Sequence, residues 1–138
     1  LRAMHAIAPS IVARDADGRV VGYAIVMPRE TRALVPILEP MFQMVEGLPE
    51  STICGRPGAR WYVMGQIAVA PSHRGTGVFD RMYQEHRARY ADRFDAVVTE
   101  VAIRNPRSLR AHERVGFRTI ARYQDATDDW ALIAWEWR

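Results

Sequence analysis

Residues 63–79 read VMGQIAVAPSHRGTGVF, an apolar run followed by a proline turn and then an arginine among glycines. These residue types in this order suit the binding of an anion. Gly75 and Gly77 lack a Cβ and can take φ > 0, so the backbone can curl until several N–H groups face one point. A helix opening at Gly77 adds the partial positive charge of its N-terminus, Arg74 adds a fixed charge and Thr76 a hydroxyl donor. The matching ligand is a phosphate or pyrophosphate. A tight turn would use the same glycines, so the loop alone leaves both readings open. Two nucleotide loops are excluded: Asp80 stands at the third glycine of G-x-G-x-x-G, and a Walker A loop needs a lysine, of which the chain has none. A second residue with chemical potential is Glu100, an acid inside the apolar run VVTEVAI. A charge buried in such a run requires a defined partner or a raised pKa.

The elements that must hold these residues alternate along the chain. Residues 10–14 and 19–27 are β-rich and joined by Asp15-Ala16-Asp17-Gly18, whose Asp-Gly step signals a hairpin. Residues 31–46 carry Leu34, Ile37, Leu38, Met41, Phe42 and Val45 at a helical period, with Pro36 and Pro40 expected to kink the helix. Residues 61–69 read as a strand, 77–90 as a helix with Val78, Met82 and Tyr83 inward, and 96–103 as a strand. Asn105-Pro106 supplies an N-cap and a proline at the first helical position, and Gly116 closes that helix. Residues 117–123 and 130–137 complete the chain as two strands. The expected architecture is α/β with a mixed sheet.

The stretch IAVAPSHRGTGV, followed by TEVAIRNPRSLRAHERVGF, resembles the GCN5-related N-acetyltransferases, the GNAT family. Their first signature is an arginine or glutamine, two residues, glycine, one residue, then glycine or alanine. Arg74 and Gly77 match it, and Phe79 occupies the last small position. The second is a valine strand, an asparagine, and a helix ending in glycine-phenylalanine, matched by Val101, Asn105, Gly116 and Phe117. The resemblance runs from about Arg19 to the C-terminus. It implies a mostly antiparallel mixed sheet with splayed central strands and flanking helices, with the family's N-terminal strand-helix-helix part short or missing. Residues 28–60 are then a long insertion in a single domain spanning 1–138. The apolar face of that insertion is expected to cover the acceptor site or, as the less favoured alternative, to form a homodimer contact.

The resemblance also implies a reaction. Acetyl-coenzyme A would place its pantetheine arm along Ile67, Ala68 and Val69 and its pyrophosphate on Arg74, Gly75, Thr76, Gly77 and Val78. Asn105 would reach the pantetheine region, a role that competes evenly with its use as an N-cap. Glu100 matches the base of ribosomal-protein alanine acetyltransferases, and His112 stands where they carry an acidic tyrosine. An imidazolium with a pKa near ~6.5 can donate a proton to a thiolate. Gly65 stands where many members carry a glutamate, so that alternative base is missing. The expected activity is transfer of acetyl to a primary amine, on a small molecule or a protein N-terminus, by direct attack in a ternary complex. The alternative is a non-catalytic acyl-coenzyme A binding or sensing module.

Composition narrows the remaining classes. A length of 138 residues with 49% apolar content supplies one core. All 19 basic residues are arginine, scattered among 16 acids, so a net charge of +3 gives no basic run for nucleic acid. Apolar runs fall far short of the ~20 residues that span a bilayer, and no secretory signal is expected. The lone Cys54 suits a reducing cytoplasm and reads as a passive thiol. His73 reads as a contact beside the loop and His86 as structural. With His5 isolated, the histidines show no paired ligand spacing, and no metal is expected.

Overall fold

The computed structural model describes residues 7–138, so His5 lies outside the described residues. Strands β1 (Ile11–Arg14) and β2 (Val20–Met27) form the expected hairpin. Its turn is held by the Asp15 carboxylate, which accepts the N–H of Asp17 and of Arg19 at 2.9 Å each. Strand β3 (Trp61–Val69) pairs antiparallel with β2. Helix α2 (Val78–Tyr90) then makes the crossover that parallel pairing with β4 (Ala96–Ala102) demands. Helix α1 (Glu39–Glu46) lies before β3, and α3 (Pro106–Val115) precedes β5 (Arg118–Gln124) and β6 (Asp129–Glu136). The sheet order is β1-β2-β3-β4-β6-β5, with β3–β4 as its parallel pair.

The centre of this sheet forks. Pairing of β3 with β4 ends at Val63↔Val98, while β4 keeps its ladder with β6 as far as Ala102↔Trp130. On the other side the register steps from Val26↔Met64 to Ala24↔Ile67, so Gly65 and Gln66 together oppose Ile25. This bulge twists β3 away from β4. At the fork the Thr99 hydroxyl donates to the Met64 carbonyl at 2.8 Å.

Two cores cover the two faces. Tyr62, Met64, Val97, Val101 and Ile133 pack with Met82 and Tyr83 of α2 and with Phe117. Val63, Ala96, Val98, Leu132 and Ala134 pack with Met41, Phe42 and Val45 of α1. The apolar face of the insertion is therefore buried on the sheet. The single kinked helix expected over 31–46 is replaced by 3-10 turns at Arg29–Leu34 and Pro36–Leu38 followed by α1. Pro36 and Pro40 lack the N–H that a continuous helix would use, and each sits in the first turn of a new segment instead. Arg32 ties the pieces together through Glu39 at 2.6 Å and Glu46 at 2.7 Å. No helix of the described residues is long and apolar enough to cross a membrane.

Candidate active site

Strand β3 delivers the chain to a short turn at Pro71–His73, after which Gly75 (φ 76°) and Gly77 (φ 85°) both take the left-handed conformation. Gly77 caps α2 without a side chain, so the first N–H groups of this helix have neither an intrahelical partner nor a side-chain cap. They open on a groove of about 840 Å³ between the loop, the end of β3 and α3. Ile67, Ala68, Val69, Arg74, Gly75, Gly77, Val78 and Asn105 all border it. Thr76 does not, because its hydroxyl turns back to donate to the His73 carbonyl. The lining includes four arginines, Arg74, Arg107, Arg110 and Arg114, and one acid, Asp80, which pairs with Arg114 at 3.0 Å. His73 also borders the groove, its Nδ1 2.9 Å from the Ser72 hydroxyl. Asn105 does cap α3, its Oδ1 accepting the Ser108 N–H at 3.2 Å, while its side chain stands on the groove.

Glu100 lies on β4 just past the fork. Alternation places it on the face of Ala96 and Val98, the same face that α1 covers. It is half-buried, and its Oε2 accepts the hydroxyl of Tyr123. Burial raises its pKa above the ordinary carboxylate range, and the charge of Asp125 adds to this, while the Tyr123 hydrogen bond opposes both. Tyr123 is itself pushed far up by burial and by the Glu100 carboxylate, so its phenol stays protonated. Reading along the chain missed Tyr123. It meets Glu100 only because β6 separates β4 from β5, and local spacing carries no signal of that order.

His112 is on the opposite face, buried among Tyr83, Phe79 and Phe117 with ring centroids 5.3, 5.0 and 5.1 Å away. Its Nδ1 lies 2.8 Å from the Ser108 carbonyl, which can only accept, so Nδ1 carries the proton. Nε2 then accepts from the Tyr83 hydroxyl at 2.7 Å. Burial lowers the pKa, and the ring is neutral with both nitrogens engaged. The structure thus brings the predicted donor-site residues other than Thr76 together around the groove and sets Glu100 and His112 on different faces of the sheet. Phe79 explains how the loop tolerates a large residue at a position expected to be small. Its ring turns onto Tyr83 and His112 and becomes part of the groove wall. His86 is fully buried and bonded to the Tyr62 hydroxyl at 2.8 Å. Cys54 is half-buried, and burial raises its thiol pKa. Among the described residues no group of three His, Cys, Asp or Glu side chains is placed to hold a metal ion.

Comparison with known proteins agrees with this geometry at the level of fold. The sequence model of the acetyltransferase (GNAT) family matches residues 3–117. No curated protein is significantly similar in sequence. Among solved structures, a chimera of the Vibrio cholerae spermidine N-acetyltransferase SpeG and hSSAT superposes with a TM-score of 0.61 at 14% identity, covering 93% of this chain and 66% of that one. A nourseothricin acetyltransferase gives 0.63 at 19% identity, covering 94% and 65%. Chaetomium thermophilum Naa20, in complex with a bisubstrate analogue, gives 0.66 at 16% identity, covering 98% and 70%. The chain spans just under two thirds of the length of the first two. With a family match over most of its length and a forked sheet of the same fold, the chain belongs to the acetyltransferase (GNAT) family.

Proposed function

We propose that this chain transfers acetyl from acetyl-coenzyme A to a primary amine, on a small molecule or a protein N-terminus, by direct attack in a ternary complex. The observation that carries this reading is the fork in the sheet, with a basic groove entering it from one face and Glu100 standing on the other. The groove fits the donor chemically. Arginines and the α2 N-terminus suit the phosphates, and beyond Val63 the β3 edge is not paired to β4, which suits the amides of a pantetheine arm. Ile67, Ala68 and Val69 would hold that arm, Arg74 to Val78 the pyrophosphate, and Asn105 the middle of the arm. The loop contributes through its backbone and Arg74, since Thr76 is engaged with His73. The names of two structural relatives, a spermidine and a nourseothricin acetyltransferase, are consistent with an amine acceptor.

Bound there, the thioester supplies the acetyl group: the amine nitrogen forms the C–N bond, the C–S bond breaks, and the thiolate leaves. Glu100 takes the proton that the amine must lose, and its raised pKa makes it the better base. In this reading His112 supports the groove wall through Tyr83 and Phe79, and the thiolate takes its proton from solvent. The engaged state of His112 is also the observation that favours the alternative, a binding or sensing module without turnover.

The test follows thiol release from acetyl-coenzyme A over a panel of amines and protein N-termini. Turnover is expected, and Glu100→Gln should reduce it by about 10²-fold at neutral pH while coenzyme A affinity stays within about twofold. Coenzyme A binding without turnover on any amine supports the alternative, and equal rates for the variant remove Glu100 from the base role.

A further inference from the structure

We propose that Tyr123 is the positioning residue for the Glu100 carboxylate, its hydroxyl reaching from β5 across β6 to hold Oε2 so that Oε1 receives the proton from the amine. This rests on the reading of Glu100 as the base. The register fixes the geometry. Glu100 opposes Leu132 on β6, Leu132 opposes Ala121 on β5, and Tyr123 lies two residues beyond Ala121 opposite Trp130. Period-two alternation therefore puts Tyr123 and Glu100 on one face, separated by the width of β6 and displaced by one side-chain step. A tyrosine ring is long and rigid enough to bridge that distance. An ionised carboxylate can only accept, so the phenol is the donor.

The contact matters because a glutamate on a strand has three rotatable bonds, and a base is effective only when its oxygen is held near the proton it takes. The residues that act electrostatically on Glu100 are Tyr123 from β5 and Asp125 from the β5–β6 turn. Asp125 is held ionised by the backbone N–H groups of Asp128 and Thr127 and disfavours a second negative charge. Tyr123 works in the opposite sense. Its hydrogen bond stabilises the carboxylate, and its own phenol does not ionise in the working range. The pair thus sets both where the base points and the pH at which it becomes available.

Tyr123→Phe keeps the ring and removes the hydroxyl. The acid limb of kcat/KM against pH should move upward by roughly one pH unit, with kcat at neutral pH reduced about tenfold and partly recovered at higher pH. Coenzyme A affinity should stay close to that of the unsubstituted chain, because the groove lies on the other face, while the melting temperature at neutral pH should fall by only a few degrees, the linked cost of a one-unit rise in the folded-state pKa of Glu100. A ¹³C-NMR titration of the Glu100 carboxyl provides a readout without turnover, and its midpoint should rise in the same variant. An unmoved acid limb, or an unmoved Glu100 midpoint in folded Tyr123→Phe, overturns the proposal. Full activity in Glu100→Gln overturns it by a different route, by removing the base that Tyr123 would position.

Discussion

At position 65 there is no room for a side chain: a Cβ would lie 2.4 Å from Met27 Sδ and 3.2 Å from its Cγ. Met27 is buried and cannot swing into solvent. The space that a side chain at position 65 would need is thus filled by Met27 from the neighbouring strand. Gly65→Ala should destabilise the fold by about 1–3 kcal/mol through overpacking. In a Met27→Ala background the same change should cost less, since the opposing atoms are gone, and a double-mutant cycle in urea measures the difference. Strictly additive costs would show that the two positions do not compete for the space. The shape of the loop was legible in the sequence because Arg74 to Val78 is one contiguous piece whose two glycines both take positive φ. His112 could not be read that way. Its charge is decided by burial, and its tautomer by the Ser108 carbonyl one turn earlier and Tyr83 on another helix.

At the scale of elements, the prolines that were expected to kink one helix over 31–46 divide it into separate segments, whereas the hairpin and the capped helix after Asn105 were legible because each is set by residues adjacent in the chain. The packing direction of the insertion was not, since a helical period shows that α1 has an apolar face without showing what it meets. Nor was the placement of β6 between β4 and β5, which alone brings Tyr123 to Glu100. The sheet divides α1 from the groove, and this has a measurable consequence. Phe42 is fully buried against Trp61 and the second face, with its ring centroid 6.2 Å from that of Trp61. Phe42→Ala should cost about 3–5 kcal/mol of stability. Coenzyme A affinity, measured by calorimetry well below the melting temperature, should be unchanged to within about twofold. A large loss of affinity in a folded variant would mean that the two faces are coupled across the sheet.

The molecule as a whole places two histidines in its larger core, and this couples its stability to pH. His86 stacks on Tyr62 with an interplanar angle of 2°, its Nδ1 bonded to the Tyr62 hydroxyl and its Nε2 without a partner among the described residues. Burial pushes its pKa down from 6.5 to about 4. The unfolded chain therefore binds a proton at His86 below pH ~6.5 that the folded chain refuses until about pH 4, so the stability that neutral His86 contributes is lost across that window as pH drops, against a smaller opposing gain from Glu100, whose pKa is raised. The loss amounts to about 3 kcal/mol for this residue, and His112, also lowered by burial, acts in the same direction. Asp95 does not offset the fall. It accepts the Arg60 backbone N–H at 2.8 Å and pairs with the Arg60 and Arg56 guanidiniums at 3.2 and 3.1 Å, which together depress its pKa, so its contribution is also lost as pH falls, but below the histidine window. Urea midpoints at pH 7.5, 5.5 and 4.5 should decline, and more steeply per pH unit between 5.5 and 4.5 than between 7.5 and 5.5. His86→Leu should flatten that decline while lowering stability at pH 7.5, because the buried Tyr62 hydroxyl loses its hydrogen-bond partner. An unchanged slope in His86→Leu would transfer the acid sensitivity to His112 and the carboxylates.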